Sequence, residues 1–103
     1  MPINLFIDDE RFPPNDGKLW VIARTSDEAI NIIKGFGMPK YISFDHDLGG
    51  DDTSMKVLRW MEEQLIDREI TFPEAFDYYV HSQNPVGVVN ITAKMETLLR
   101  HFS

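Results

Sequence analysis

Four short apolar runs, each closing on polar residues, give the chain its main pattern. They cover residues 3–8, 19–23, 41–45 and 76–81, and acids, histidines or an arginine stand at or just after their ends. Apolar runs of this length, set between stretches of helical periodicity, are typical of parallel strands that are buried on both faces. The pattern therefore predicts an α/β fold built on a parallel sheet of about four strands.

Three stretches repeat their apolar positions every three or four residues, as amphipathic helices do. The first opens with a capping box at residues 25–28, where a threonine and a glutamate can satisfy free N–H groups. Asp52 or Thr53 can cap the second helix, and the third has Asn84 as its cap and Pro85 in its first turn. Helices are therefore expected after the second, third and fourth strands.

The connection between the first and second strands differs from the others, because residues 10–18 contain two prolines and a glycine. Such a segment forms a loop rather than a helix. With right-handed crossovers, the order of the elements predicts the strand order 2-1-3-4. We expect a small three-layer domain that takes in residues 1–103.

Composition narrows the class of protein. The 103 residues, 43% of them hydrophobic, fit one globular domain. The chain has no cysteine, no apolar run of membrane-spanning length and no apparent signal peptide, so we expect a cytoplasmic protein with no membrane partner. The net charge of -7 argues against binding to duplex DNA or RNA, which needs a basic face. The negative net charge does not exclude a small phosphorylated ligand, because a bound divalent cation reverses the charge at its site.

Acidic residues cluster where the first and third strands end. Ligands of open parallel sheets bind beyond the carboxyl ends of the strands, so Asp8, Asp9, Asp45 and Asp47 are expected along one rim. Crowded carboxylates repel one another, and a hard divalent cation such as Mg²⁺ or Mn²⁺ relieves that repulsion. These four acids are the candidate metal ligands. The alternative is a solvated strand end at which Asp9 caps a turn.

Two histidines near the rim are candidates for proton transfer close to neutral pH. His81 closes the fourth strand, and His46 lies between Asp45 and Asp47. The alternative for each is structural: His46 can donate to Asp47 or to a carbonyl, and His81 can serve in packing.

The start of the last helix offers a seat for phosphate, since its free N–H groups carry partial positive charge. Ser82, Asn84, Gly87 and Asn90 can face a ligand there. A glycine in the first turn costs up to ~1 kcal/mol against alanine, which suggests a backbone reason for Gly87. The alternative is ordinary capping by Asn84, with Gly87 merely fitting its neighbours.

Arg11 and Arg24 are the arginines nearest the rim. Arginine can grip a phosphate with two parallel hydrogen bonds, so both are candidate substrate-binding residues. The alternative is that each balances the charge of the surrounding acids.

Three motifs together resemble those of the cyclic-phosphate processing receiver-like domains. They lie at residues 5–14, 42–49 and 81–87, with Asn90 following. The resemblance implies a shortened receiver fold that lacks the fifth strand, an acidic pocket for a divalent metal, and processing of cyclic or terminal phosphates in nucleotides or RNA ends.

Carried over by position, the resemblance makes Asp8, Asp9 and Asp45 the acidic pocket. Asp45 matches the phosphoacceptor of a receiver, which adds it to the catalytic candidates, and Ser82 matches the hydroxyl residue of the fourth strand. A signalling receiver also has a lysine on its fifth strand, whereas Lys94 stands in the middle of the last predicted helix. Conventional phosphorelay signalling is therefore disfavoured.

We thus expect a metal-dependent phosphoesterase-like domain acting on a nucleotide or RNA-end phosphate. Its catalytic candidates are His46, His81 and Asp45. One alternative is a non-catalytic module that binds a nucleotide or a protein through the same rim. Another is a regulator that is phosphorylated on Asp45.

Overall fold

The computed structural model describes residues 2–103 and contains one parallel sheet of four strands. The strands run side by side in the order β2-β1-β3-β4. This confirms the predicted α/β class and strand order. Each strand is four residues long, and the polar residues of the motifs follow directly after it; the strands are β1 (Asn4–Ile7), β2 (Trp20–Ala23), β3 (Tyr41–Phe44) and β4 (Asp77–Val80).

Three helices begin at the residues that the capping signals predict. Thr25 accepts the N–H of Glu28, Thr53 accepts that of Met55, and the Asn84 side chain accepts that of Gly87. The helices are α1 (Ser26–Phe36), α2 (Ser54–Ile66) and α3 (Pro85–Phe102).

Two acids that were expected to take part in helix capping, Glu28 and Asp52, accept hydrogen bonds from other residues than expected. The Glu28 carboxylate accepts the N–H of Arg24 at 2.8 Å, one residue before the N–H used in a capping box. Asp52 does not cap α2. It accepts the N–H of Ser26 at 2.8 Å and the Ser26 hydroxyl at 2.5 Å, so it holds the start of α1 against the loop before α2.

All three helices pack on one face of the sheet, where they share a single hydrophobic core with its strands. The domain therefore has two layers, the sheet and the helices on one of its faces, whereas we expected three layers. The core contains Leu5, Ile7, Ala23, Ile42 and Phe44 from the strands, Ala29 and Ile33 from α1, Val57, Leu58, Met61 and Leu65 from α2, and Ile91, Met95 and Leu98 from α3.

Handedness explains this arrangement. The step from β1 to β2 crosses the sheet in one direction, whereas the steps from β2 to β3 and from β3 to β4 run the other way. Right-handed crossovers that run in opposite directions lie on opposite faces. Of the connections that the structure describes, the β1–β2 connection, residues 8–19, is thus alone on the second face, and it contains no helix. Within residues 2–103, no helix is long and apolar enough to span a bilayer.

Candidate functional site

Asp8, Asp45 and His81 meet at the carboxyl edge of the sheet. Each follows the last residue of a strand, and its N–H continues the ladder of hydrogen bonds to the neighbouring strand at 2.9–3.0 Å. One donor atom from each side chain lies within 4.8 Å of the others. The structure therefore brings together two of the predicted acids and one predicted histidine.

Asp8 is fully buried, and both of its carboxylate oxygens have partners. Oδ1 accepts the N–H groups of Glu10 and Arg11 at 2.9 Å each. Oδ2 lies 3.0 Å from Nε2 of His81 and 3.1 Å from Nε of Arg11. Burial by itself raises the pKa of Asp8, but the backbone N–H groups, His81 and the Arg11 charge together bring it below its usual value. Asp8 is therefore a charged acceptor.

Asp45 is also buried but is much less well compensated. Burial, followed by the neighbouring charge of Asp8, raises the pKa of Asp45. A hydrogen bond from Ser82 and the charges of His81 and Arg11 oppose that rise without cancelling it. An added cation would thus stabilise the charged Asp45 carboxylate more than that of Asp8, whose charge already has partners.

Arg11 bridges the two buried acids. Its Nε is 3.1 Å from Asp8, and its Nη2 is 3.7 Å from Asp45. One guanidinium therefore balances the charge of two carboxylates, as the alternative interpretation of Arg11 expects. Because 45% of its side chain is exposed, Arg11 also has room to turn toward a ligand.

Both ring nitrogens of His81 are engaged inside the protein. Nε2 faces Asp8, Nδ1 lies 2.7 Å from Oγ of Ser43, and the ring stacks on Phe6 with a centroid distance of 4.6 Å. A carboxylate can only accept, so a neutral His81 carries its proton on Nε2 and accepts the Ser43 hydroxyl at Nδ1. Ser43 thus fixes the orientation of the ring. We did not predict this role, although a hydroxyl two residues before Asp45 in an otherwise apolar strand is a usable signal.

The two remaining predicted ligands, Asp9 and Asp47, are exposed. Both line an open cavity of about 570 Å³ that Asp45 also lines. The carboxylate of Asp47 is 3.0 Å from Nδ1 of His46 and 3.2 Å from Nδ2 of Asn84, and these two bonds lower the pKa of Asp47. Asp47 therefore ties the loop after β3 to the start of α3.

His46 lies under the first turn of α3, with 13% of its side chain exposed, and is not one of the three grouped residues. A Cβ placed on Gly87 would stand 2.5 Å from Cγ of His46, which is closer than such atoms come. The Gly87 N–H is already donated to Asn84 at 3.1 Å. Gly87 thus has a packing reason to be a glycine, and its contact with phosphate stays a prediction.

Arg24 braces the loop that carries Arg11. Its Nη1 donates to the carbonyls of Asp8 at 3.1 Å and Arg11 at 2.5 Å, and its guanidinium lies 4.9 Å from the ring centre of Phe12. These contacts support a structural role for Arg24, and its predicted contact with substrate stays a prediction.

The other predicted phosphate-binding residues follow β4. Ser82 accepts the N–H of Asn84 at 3.1 Å, it lines the same open cavity as Asp45, and its side chain lowers the pKa of Asp45. Asn90 is exposed on α3, one turn beyond Gly87. Ser82 is therefore the nearer of the two to the grouped acids.

Comparison with known families agrees with this geometry. The model of the cyclic-phosphate processing receiver domain matches residues 3–97 of the 103-residue chain. The chain belongs to this family. No curated protein and no solved structure matches it. The match confirms the resemblance that the three motifs indicated.

One residue of this cyclic-phosphate processing receiver domain bears on signalling. Lys94 does not bind an acid of the rim, because its Nζ lies 2.7 Å from Oε1 of Glu62 in α2. Lys94 therefore does not replace the lysine that a signalling receiver carries on its fifth strand.

Proposed function

We propose that this domain is a metal-dependent phosphoesterase that acts on a cyclic or terminal phosphate of a nucleotide or RNA end. The observation that carries the proposal is the meeting of two buried carboxylates, Asp8 and Asp45, with His81 at one rim. Among residues 2–103, Arg11 is the one arginine or lysine that forms an ion pair with either acid. Such a rim can accept further positive charge. The family to which the chain belongs is described as processing cyclic phosphates, which is why we propose a phosphate as the ligand.

The residues fit a hard divalent ion. Mg²⁺ and Mn²⁺ prefer carboxylate oxygens, and Asp8 and Asp45 would hold the ion with exposed Asp9 beside them. Asp47 suits this role least, since it lies outside the group formed by Asp8, Asp45 and His81, and its carboxylate joins His46 to Asn84. When bound, such an ion polarises the phosphoryl group and makes a bound water more acidic.

The remaining groups suit phosphate chemistry. Turning Arg11 outward frees its guanidinium to bind the phosphate oxygens with two hydrogen bonds. His81 is our candidate to move a proton at the ester oxygen, for which its Nε2 must exchange Asp8 for the substrate while Ser43 holds the ring at Nδ1. His46 touches Asp47 instead, so we rank it second for proton transfer.

Turnover of nucleoside 2′,3′-cyclic monophosphates and of terminal nucleotide phosphates with added Mn²⁺ tests the proposal. Asp45→Asn should lower turnover about a hundredfold or more, because it removes a ligand charge at the reacting phosphate. Asp67→Asn makes the same chemical change at an exposed position at the end of α2 and should leave turnover unchanged.

The two alternatives give different results in the same set of experiments. Binding of nucleotide without phosphate release under any metal condition identifies a non-catalytic module. A stable beryllofluoride adduct on Asp45, again without turnover, identifies a phosphorylated regulator.

A further inference from the structure

The face of the sheet opposite the helices is only partly covered. Parallel sheets normally bury both faces, yet among residues 2–103 only the loop formed by residues 8–19 covers the second one. Between this loop and the strands lies a cavity of about 370 Å³, which we call the aromatic pocket; its walls include Phe6, Trp20, Tyr41 and Tyr79. This volume falls within the usual range of small-molecule sites.

The aromatic walls are held in place by their neighbours. Trp20 packs edge-on against Phe6 at 5.9 Å and against Tyr41 at 5.7 Å. Its indole N–H donates to Asp16 of the loop at 3.2 Å. Tyr79, on the edge strand β4, is 59% exposed. The rings of Phe6, Trp20 and Tyr41, fixed in this way, form a stacking surface for a planar ligand at little further cost in entropy.

The aromatic pocket adjoins the acidic rim. Arg11 and His81 line the pocket, and the same two side chains contact Asp8. The face of the His81 ring packs on Phe6 while its Nε2 reaches Asp8. A ligand that spans from the pocket to the rim therefore needs a planar ring at one end and an anionic group at the other.

We propose that the aromatic pocket binds the base of a nucleotide whose phosphate lies at Asp8 and Asp45. The inference rests on the proposed function, which supplies the phosphate. Basic groups suit an anionic ligand at this place: Lys18 lies 5.5 Å from the ring centre of Tyr41, and Arg11 stands between the pocket and the rim. Stacking accepts any base, so the pocket favours nucleotides as a class over phosphate esters without a ring.

The test uses the two tryptophans of the chain as reporters. The indole N–H signal of Trp20 reports on the pocket, and that of Trp60 in α2 reports from the other side of the sheet. The four ribonucleosides, which carry no phosphate, should shift the Trp20 signal and leave Trp60 in place. Base-free 1-O-methylribose 2′,3′-cyclic phosphate should be turned over at about one tenth of the efficiency of the nucleoside cyclic phosphates, or less.

Variants of Tyr79 locate the effect. Tyr79→Ala should weaken nucleoside binding about tenfold, since it removes a stacking ring, whereas Tyr79→Phe keeps the ring and should bind as the wild type does. Phe36→Ala removes a ring that is equally exposed, at the end of α1, and should change nothing. The melting temperature of each variant checks that it folds.

The outcomes separate this inference from the function on which it rests. An unmoved Trp20 signal together with equal turnover of the base-free and nucleoside esters overturns the pocket and leaves the phosphoesterase intact. A shifted Trp20 signal with no phosphate release supports the pocket and rejects the phosphoesterase. A dimer that Tyr79→Ala dissociates, with no response to nucleosides, overturns the pocket in favour of a second copy of the chain.

Discussion

At the scale of single residues, Asp8 and Asp45 differ although both are buried at one rim. Backbone N–H groups, an imidazole and a guanidinium keep Asp8 charged. Burial and the charge of Asp8 raise the pKa of Asp45 by more than the groups around it lower it. The pKa shifts of the two acids accordingly have opposite signs. Asp45 is therefore the residue at which a change of charge has the most informative effect.

Asp45→Asn should stabilise the metal-free protein at neutral pH. The pKa of Asp45 is higher in the folded than in the unfolded chain, so deprotonation favours unfolding as the pH rises through that interval. The gain should vanish at a pH below the ordinary carboxyl pKa, where Asp45 is protonated in both states. Melting temperatures in a chelator at the two pH values measure this effect. A variant less stable than the wild type at neutral pH contradicts the claim that the charge of Asp45 destabilises the metal-free fold.

Gly87→Ala tests why the first turn of α3 contains a glycine. The added methyl meets the His46 ring at 2.5 Å, so we expect a loss of about 1–2 kcal/mol from overpacking, after the gain in helix propensity. Gly35→Ala in α1 is the matched control. It meets nothing within 4 Å and should stabilise by up to ~1 kcal/mol. Urea unfolding of both variants gives the comparison, and a Gly87→Ala protein at least as stable as the wild type removes the packing explanation.

At the scale of elements, local signals predicted the strands and helices well. The caps at Thr25 and Asn84 lie where the sequence places them, because a cap bonds within its own turn. Asp52 was harder to assign, since its partner Ser26 lies 26 positions away in the chain. The number of layers was also predicted wrongly, although it follows from the same handedness rule that predicted the strand order. Because the step from β1 to β2 runs opposite to the later steps, its connection lies on the other face of the sheet, and that connection has no helix.

Asp52→Ala should loosen the start of α1. It removes the acceptor of two bonds from Ser26, and the loss of a helix-capping group costs about 1–2 kcal/mol. Asp51→Ala removes the same charge from the neighbouring position, which is exposed and makes no side-chain hydrogen bond within residues 2–103. Equal unfolding free energies for the two variants would show that Asp52 contributes only its charge.

At the scale of the whole molecule, the site is a product of topology. The neighbouring strands β1, β3 and β4 end at one edge, so residues far apart in the chain, Asp8, Asp45 and His81, become neighbours. The sequence predicted that convergence because strand ends are visible in it. The bridge made by Arg11 and the bond from Ser43 were not predicted, since they depend on the path of a loop and on which face a strand residue occupies.

Divalent metal should stabilise the whole fold. An ion held by Asp8 and Asp45 binds the native chain alone, so the melting temperature should rise as Mn²⁺ or Mg²⁺ is added. Asp45→Asn should blunt that rise, and Asp67→Asn should not. A melting temperature that millimolar Mn²⁺ and Mg²⁺ leave unchanged contradicts a resting metal site, though an ion that binds only together with substrate would still appear in turnover.

Turnover is the most direct measurement of the central claim, that this rim processes phosphate with the help of a metal. Protein stripped by a chelator is mixed with nucleoside 2′,3′-cyclic monophosphates, and chromatography of quenched samples follows the cyclic phosphates and their products before and after Mn²⁺ is restored. We predict no conversion without metal, steady conversion to phosphomonoester with it, and almost none for Asp45→Asn. Cyclic phosphates that persist with Mn²⁺ present, or that Asp45→Asn cleaves as fast as the wild type, would contradict the account.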